Sequence, residues 1–408
     1  MPYAARMPEH GFPPGFLWGA ATSSHQVEGD NRNNDWWDWE QGLDAAERRS
    51  GNACDQWHRF ADDAAMAAEL GHTAHRLSLE WSRIEPSEGV FDEAAVAHYR
   101  DVLSAFRARG MRTMLTLHHF TLPRWVAARG GWLDAKTPER FERFVTHIAP
   151  KLADLVDLWC TVNEPGVQAF MGYTAGLWPP HHKSAVETAR VTWHLAQGHR
   201  RAYRAIKSAV PGALVGIAHN VTRFVAQTGR ANEQLAARVL AWTANRLFFR
   251  LTGWRFHDWI GLNHYFTRRL DGSGRLVPSI ADPAALGHEV SGLKWELRPK
   301  SLSEIAKDFL GMRRPIYITE HGLATDDDAQ RERFLVASLK ALQALVEMNP
   351  EARRWIRGYF HWSLLDNFEW ADGFIPHFGL VAVDYATQAR TPRLSALRYR
   401  EIIRENAA

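Results

Sequence analysis

Short apolar runs alternate with longer amphipathic stretches along the whole chain. Each run begins with residues that suit a strand buried on both faces, and each ends in polar or aromatic side chains. Eight such runs stand out, at residues 16–22, 72–81, 112–120, 158–165, 214–220, 259–265, 315–322 and 359–367. The pattern therefore predicts eight buried strands whose carboxyl ends carry polar side chains.

The stretches between the runs have the periodicity of amphipathic helices. Residues 61–70, 93–110 and 139–155 all show it. In the third stretch the apolar residues recur at helical intervals, at Phe141, Phe144, Val145, Ile148 and Leu152. Gly71 and Gly110 follow the first two stretches, in the place where a left-handed cap ends a helix. We therefore expect helices between the strands.

Strands and helices in this alternation define the α/β class. Eight strand–helix units predict a single (β/α)8 (TIM) barrel over residues 1–408, with its functional site at the carboxyl ends of the strands. The alternative is an open, doubly wound sheet. No Gly-rich phosphate loop of the form GxGxxG or GxxxxGK[ST] follows any of the strands, so the sequence favours the barrel.

The charge balance limits the partners that can be expected. The chain has 49 Lys and Arg against 46 Asp and Glu, which leaves a net charge of +3. This balance does not indicate nucleic acid or an anionic membrane as a partner. We find no apolar run near the ~20 residues of a membrane span and no secretory leader at the first residues. The expected location is the cytoplasm, and the oligomeric state is left open.

Cysteine and tryptophan contents suggest what kind of site to look for. The 408 residues include only 2 Cys but 18 Trp. Two isolated cysteines cannot build a disulfide framework or a Cys-based zinc site, and HExxH is absent, so neither a metal nor a cofactor is expected. Indole rings suit clefts that bind sugars, because sugar C–H faces lie on aromatic rings while hydroxyl groups need hydrogen bonds.

Two glutamates occupy equivalent places on separate strands. Glu164 ends the motif TVNEP, and Glu320 lies in ITEHG. Two carboxyl groups across a cleft suit acetal hydrolysis, since one can protonate the leaving oxygen while the other attacks C1 or activates water. Each glutamate alone could equally be a solvated strand end or pair with an arginine. Both together, at matching strand ends, favour a catalytic pair.

Seven motifs over nearly the whole chain resemble those of the retaining β-glycosidases of glycoside hydrolase family 1. They occur in the family's order, as SSHQVEG (23–29), HRLSLEWSRIEP (75–86), LHHFTLPRW (117–125), TVNEP (161–165), GLNHY (261–265), ITEHG (318–322) and WSLLDNFEWADGF (362–374). The resemblance implies a (β/α)8 barrel that cleaves O-glycosides in two displacement steps. Such enzymes hold their carboxyl groups ~5–5.5 Å apart.

The resemblance also implies a role for each matching residue. Glu164 becomes the general acid/base and Glu320 the nucleophile, with Arg76 and Tyr265 beside the nucleophile. A charged Glu320 is then expected to raise the pKa of Glu164. The implied substrate-binding residues, with Trp295 on the leaving-group side, are Gln26, His119, Asn163, Asn263, Tyr265, Trp295, Trp362, Glu369 and Trp370.

The implied substrate is a small β-glycoside with a terminal glucosyl residue, or with a galactosyl or fucosyl residue. A transglycosidase of the same fold and a non-catalytic sugar-binding barrel remain alternatives. Two positions depart from the family pattern. His321 replaces an asparagine and is expected either to alter the local turn or to add a titratable group near the site. Phe120 replaces a tryptophan and is expected to loosen recognition at the sugar 3-position.

Overall fold

The computed structural model describes residues 11–43, 45, 48–273 and 277–406. All eight predicted strands form within these ranges, together with five short strands that the apolar pattern does not predict. In chain order the strands are β1 Leu17–Ala21, β2 Ala74–Ser78, β3 Arg112–Thr116, β4 Leu158–Asn163, β5 Leu214–Asn220, β6 Arg223–Ala226, β7 Ile260–Asn263, β8 Thr267–Asp271, β9 Ser279–Ile280, β10 Ile316–His321, β11 Ile356–Trp362, β12 Val381–Asp384 and β13 Ala389–Pro392.

Eight of these strands form one closed parallel barrel, which confirms the predicted fold class. The order around the barrel is β1, β2, β3, β4, β5, β7, β10 and β11, and β11 pairs with β1 to close it. All of these pairs are parallel. The carboxyl ends of the eight strands therefore meet at one rim of the barrel.

Helices surround the barrel. Within the described ranges they are α1 Ser24–Val27, α2 Asp35–Gln41, α3 Gln56–Glu69, α4 Trp81–Ile84, α5 Glu93–Arg107, α6 Arg124–Ala127, α7 Thr137–Leu152, α8 Pro165–Ala169, α9 Ala185–Ala209, α10 Ala231–Thr252, α11 Lys300–Phe309, α12 Asp328–Met348, α13 Pro350–Trp355 and α14 Leu394–Asn406. None of the helices in the described part of the chain is both long enough and apolar enough to cross a membrane.

The three helices expected from periodicity are α3, α5 and α7. The five apolar positions predicted for the core face of α7 are all buried. The side chain of Asp92 accepts hydrogen bonds from Ala94 N and Ala95 N and so caps α5. Gly71 and Gly110 follow α3 and α5 with φ of 78° and 80°, the left-handed conformation in which glycine is not strained.

Below the rim, the barrel interior is filled by side chains that face the same side of their strands as the rim residues. Residues two apart on a strand point to the same side, so Ala74 lies beneath Arg76 and Phe360 lies beneath Trp362. Strand residues in one buried interior cluster are Ala74, Met114, Leu158, Cys160, Ala218, Tyr317 and Phe360. This packed layer closes the barrel below the rim and leaves the rim side chains free to form a site.

A small three-stranded sheet extends from the rim. Its order is β6, β8 and β9, with β6 and β8 parallel and β8 and β9 antiparallel. Barrel strand β5 ends at Asn220, and β6 begins only three residues later at Arg223. Likewise β7 ends at Asn263, and β8 begins at Thr267. The small sheet therefore rises from the part of the rim formed by β5 and β7.

Candidate active site

The two predicted glutamates lie buried at the rim. Glu320 lies on β10 beside its last residue, and Glu164 directly follows β4. They are 4% and 7% exposed. Glu164 adopts a left-handed backbone conformation, with φ 41° and ψ 56°, just before Pro165 starts α8. That conformation is uncommon outside glycine, and residues that adopt it are concentrated at functional sites.

A continuous hydrogen-bond network joins the two carboxyl groups. Asn263 Nδ2 donates to Glu164 Oε1 at 2.9 Å and to Asn163 Oδ1 at 3.1 Å. Arg76 Nη2 donates to the same Asn163 oxygen at 2.7 Å. The other terminal nitrogen of Arg76 forms an ion pair with Glu320 Oε1. The fold thus brings together two residues that lie 156 positions apart in the sequence.

The Glu320 carboxylate accepts from two strong donors. Besides the Arg76 guanidinium, the hydroxyl of Tyr265 donates to Glu320 Oε2 at 2.6 Å. Arg76 is itself 1% exposed and is held by Thr319 O at 3.2 Å and Thr116 Oγ1 at 3.3 Å. A buried guanidinium and a phenol that both donate to a carboxylate stabilise its negative charge. Each carboxylate oxygen of Glu320 therefore has a donor.

Glu164 has the opposite electrostatic character. Its pKa is raised from 4.5 to about 8, first because burial removes water from the carboxylate and second because Glu320 is negatively charged. Hydrogen bonds from Asn263 and Asn220 partly oppose the rise. The expected effect of Glu320 on Glu164 is therefore present, but burial is the larger cause. At neutral pH Glu164 is protonated and can donate a proton.

Polar side chains from α1 and from the segment after β11 form one side of the site. Gln26 Nε2 donates to Asn367 Oδ1 and to the Phe368 carbonyl, both at 2.8 Å, and to Glu369 Oε2 at 3.3 Å. Trp362 Nε1 donates to the other oxygen of Glu369 at 3.1 Å. Burial, as the first cause, raises the pKa of Glu369 to about 8. These groups offer donors and acceptors suited to sugar hydroxyls.

Aromatic rings line the same side of the site. The His119 ring is stacked between Trp362 at 6.2 Å and Trp370 at 5.9 Å, with interplanar angles of 23° and 15°. His119 Nε2 also lies 3.1 Å from Asn163 Nδ2. The site residues predicted at Gln26, His119, Trp362, Glu369 and Trp370 therefore cluster beside the carboxyl pair.

Phe120 packs into an aromatic cluster next to these rings. Its ring centroid lies 5.1 Å from both Trp178 and Trp370, and Trp36 lies 4.6 Å from Trp370. Neither Trp36 nor Trp178 is among the residues predicted for the site. Neither indole nitrogen at these two positions makes a hydrogen bond to a described residue, so each is a possible donor beside Phe120. Looser recognition at the sugar 3-position remains a prediction.

Trp295 lies on a different side of the site. Its ring centroid is 5.8 Å from Tyr265, 5.0 Å from Phe266 and 6.1 Å from Phe378. Tyr265 in turn donates to Glu320. Only the ring of Tyr265 thus separates Trp295 from Glu320. All of the residues predicted for the site therefore lie around the two carboxyl groups.

For His321, the expectation of a titratable group near the site is wrong. As the residue after Glu320 on β10, it points to the opposite face of the strand. Its Nδ1 lies 3.0 Å from Tyr359 Oη, and its ring stacks on Phe334 of α12 at 5.0 Å. Burial keeps the pKa of His321 well below 6.5. The residue is therefore a neutral part of the barrel–helix packing and adds no charge to the site.

Asn220 is a site residue that the sequence analysis missed. Its Nδ2 donates to Glu164 Oε1 at 3.1 Å from the end of β5. A polar residue at the carboxyl end of a predicted barrel strand was a usable signal, since that end faces the site. The run LVGIAHN at residues 214–220 predicts a strand, but the amide of its last residue is neither an acid nor a base and so does not by itself indicate a catalytic site.

The site as a whole defines a class of protein. One buried carboxyl group has its pKa raised to about 8, and a second is paired with an arginine and accepts from a tyrosine. Polar and aromatic side chains suited to a sugar adjoin them at the rim of a (β/α)8 barrel. In the described part of the chain, no group of three or more His, Cys, Asp and Glu side chains is placed to hold a metal ion. These are the features of a glycoside hydrolase.

Comparisons with known proteins identify the family. The model of glycosyl hydrolase family 1 matches residues 8–254 and 254–408. Thermostable β-glucosidase B from Thermobispora bispora is 32% identical, with 97% of this chain and 91% of the relative covered. A β-galactosidase from Pyrococcus woesei is 29% identical, with 97% of each covered. A solved β-glycosidase from Pyrococcus horikoshii is 34% identical, with a TM-score of 0.87 over 98% and 96% of the two chains.

The chain belongs to glycosyl hydrolase family 1 and is an O-glycoside hydrolase. Its alignment with the Pyrococcus woesei relative extends over 501 positions, whereas this chain has 408 residues. The relative therefore contains segments that this chain lacks.

Proposed function

We propose that the protein releases terminal β-D-glucosyl residues from O-glycosides by two successive displacements at C1. Glu320 is the nucleophile, and Glu164 is the general acid and then the general base. The observation that carries the proposal is the difference between the two carboxyl groups. Glu164 has its pKa raised to about 8, whereas Glu320 is paired with Arg76 and bonded to Tyr265.

In the first step, Glu320 attacks C1 from the face opposite the leaving group. The glycosidic bond breaks, its electron pair goes to the leaving oxygen, and that oxygen receives the proton of Glu164. An ester between Glu320 and C1 results. Asn163, which is held by Arg76 and Asn263, is placed to bond the sugar 2-hydroxyl, an interaction that strengthens as positive charge develops at C1.

In the second step, water replaces the ester. Once Glu320 is esterified its negative charge is gone, so one of the two causes of the raised pKa of Glu164 disappears. The carboxylate of Glu164 then accepts a proton from water as the water oxygen attacks C1, and Glu320 leaves as a carboxylate. Two inversions give a product with the configuration of the substrate.

We expect glucose as the main sugar released, with its 4-epimer also accepted. One oxygen of Glu369 accepts from Gln26 and the other accepts from Trp362, so the orientation of the carboxyl group is fixed. A forked carboxyl group accepts from axial or equatorial hydroxyls with small adjustments. A β-glucosidase and a β-galactosidase among the relatives agree with this choice. Galactosides and fucosides are therefore expected as secondary substrates.

A panel of 4-nitrophenyl glycosides tests the proposed function. We expect kcat/KM to be highest for the β-glucoside, lower for the β-galactoside and β-fucoside, and undetectable for the α-glucoside. Proton NMR of the first product is expected to show β-glucose before mutarotation. Hydrolysis of the α-glucoside, or α-glucose as the first product of the β-glucoside, would contradict the mechanism. Added methanol measures transglycosylation, since methyl β-glucoside then forms beside glucose.

A second prediction concerns the pH profile. The hydrogen bond from Asn220 favours the charged form of Glu164, so Asn220→Ala is expected to raise the pKa of Glu164 further. Activity requires protonated Glu164 and is lost above its pKa, near pH 8 in the wild type. The alkaline limb of kcat/KM therefore shifts to higher pH in the variant.

Asn33→Ala, which removes hydrogen bonds to backbone carbonyls only, is the control. A limb that stays in place or moves down contradicts this role.

The cytoplasm is the proposed location of the protein. Its two cysteines, Cys54 and Cys160, are buried and free, as in proteins of a reducing compartment. Fractionation of the native host followed by activity assay of each fraction tests this. Activity confined to the secreted fraction would contradict it.

A further inference from the structure

Three arginines lie on the small sheet above β5 and β7, and only two of them are neutralised. Arg223 forms an ion pair with Glu304 at 3.0 Å, and Arg269 forms one with Glu296 at 2.7 Å. The side chain of Arg268, directly before Arg269, forms no ion pair or hydrogen bond with any residue in the described ranges. Its one specific contact is with a ring, because its guanidinium carbon lies 4.6 Å from the centroid of Phe266.

Arg268 is nevertheless half-buried rather than free in solvent. Burial lowers the pKa of its guanidinium, and no acidic group opposes that effect. A cation without a counter-ion in a partly desolvated place is unfavourable unless an anion binds there. The Phe266 ring contacts the guanidinium without using its N–H groups as hydrogen-bond donors.

A chain of ring contacts connects Arg268 to the nucleophile. Phe266, under the guanidinium, lies 5.0 Å from Trp295. Trp295 lies 5.8 Å from Tyr265, and Tyr265 donates to Glu320 at 2.6 Å. The aromatic wall formed by Tyr265, Trp295 and Phe266 therefore leads from Glu320 out to the guanidinium of Arg268, which no described residue pairs.

The position of the small sheet indicates which half of the substrate meets this wall. The sugar-binding groups Gln26 and Glu369 come from α1 and the segment after β11, across the rim from β5 and β7. The small sheet instead continues from Asn220, which donates to Glu164. Because Glu164 protonates the leaving oxygen, the leaving group departs on the side of Glu164. Arg268 thus stands where the leaving group extends.

We propose that Arg268 binds an anionic group carried by the leaving group, so that the enzyme prefers glycosides of acidic, carboxylate-bearing alcohols or phenols. The proposal rests on the proposed function and specifies its substrate class. An anion entering this site is repelled by the carboxylate of Glu320, whose own counter-ion Arg76 is already engaged. A further cation is therefore required for such substrates, and Arg268 supplies it. The guanidinium matches a carboxylate in two parallel hydrogen bonds.

Pairs of phenyl β-glucosides that differ only in charge test the proposal. In each pair the ring carries a carboxylate or the neutral, similarly shaped carbamoyl group, at the meta or the para position. We expect wild-type enzyme to have the higher kcat/KM for the carboxylate in at least one pair. In Arg268→Gln the ratio of carboxylate to carbamoyl should fall by about tenfold, with kcat/KM for the carbamoyl substrate nearly unchanged. Sulfophenyl glucosides show whether the site takes anions in general or carboxylates in particular.

A matched control is available on the far side of the fold. Arg255 stacks over Phe256 at 4.9 Å in the same way but is exposed and outside the site, so Arg255→Gln should leave the ratio unchanged. A wild-type ratio below one in both pairs, or the same ratio in Arg268→Gln as in the wild type, would overturn the proposal. Failure of the proposed function is distinguishable, since it would abolish hydrolysis of the carbamoyl substrates in all three proteins.

Discussion

Replacing Glu320 by alanine is expected to lower kcat on an aryl β-glucoside by about 10⁴-fold or more. The variant lacks the group that attacks C1, while the acid Glu164 remains. Added azide should partly restore turnover, because a small anion fits the space that the carboxylate leaves. It attacks C1 from the vacated face, so the product should be the α-glucosyl azide. Rates with and without azide, with product NMR, measure both effects.

Two outcomes would contradict this role of Glu320. One is near-normal activity of Glu320→Ala, and the other is formation of the β-glucosyl azide. Glu142→Ala is a matched control, since Glu142 is also a glutamate in an ion pair, with Arg201 at 2.5 Å, but lies on the helical layer. That variant should retain wild-type kcat and should not respond to azide.

Replacing Glu164 by alanine should have effects that depend on the leaving group. A dinitrophenolate leaves without a proton, so the first step should be nearly unaffected and kcat/KM should change little. An alkyl glucoside needs the acid, and its kcat/KM should fall by about 10³-fold. The second step lacks its base, so kcat falls for both substrates. Steady-state kinetics with the two glucosides give the comparison.

Azide distinguishes the two variants by stereochemistry. In Glu164→Ala it attacks the ester on Glu320 from the face that water normally uses, so the product should be the β-glucosyl azide. The two variants should give azides of opposite configuration, because the two carboxyl groups lie on opposite faces of the sugar. Equal losses of kcat/KM for both leaving groups, or the α-azide from Glu164→Ala, would mean that Glu164 is not the acid/base.

The barrel strands could be predicted because each is buried on both faces and therefore appears as an apolar run. The helices were predictable for a similar reason, since Phe141 and Ile148 mark a helix face that is fully buried in α7. The strands of the small sheet could not be predicted. They are short and half-exposed, and β6 and β8 pair Arg223 with Thr267 across 44 positions of sequence. This pairing forms because β5 and β7 are neighbours in the barrel, which places the segments that follow them side by side.

Within the site, motif resemblance was enough to nominate the carboxyl pair but not to explain its electrostatics. Burial, which is the largest cause of the raised pKa of Glu164, depends on packing by many residues and has no local sequence signal. Asn220 was missed because its amide side chain is neither an acid nor a base, although it ends a predicted barrel strand. The direction of His321 depends on a register shift in β10 between Ile318 and Glu320. With regular alternation His321 would face the same side as the interior residue Tyr317, so its direction could not be predicted from the sequence.

The central claim is that Glu320 forms a covalent bond to the sugar. A 2-deoxy-2-fluoro-β-glucoside with a dinitrophenolate leaving group tests it most directly, because fluorine slows both steps while the good leaving group keeps the first one accessible. Mass spectrometry of the intact protein should show one added fluoroglucosyl group, and peptide mapping should locate it on Glu320. An unmodified protein that still hydrolyses the reagent, or a label on Glu164, would contradict the mechanism.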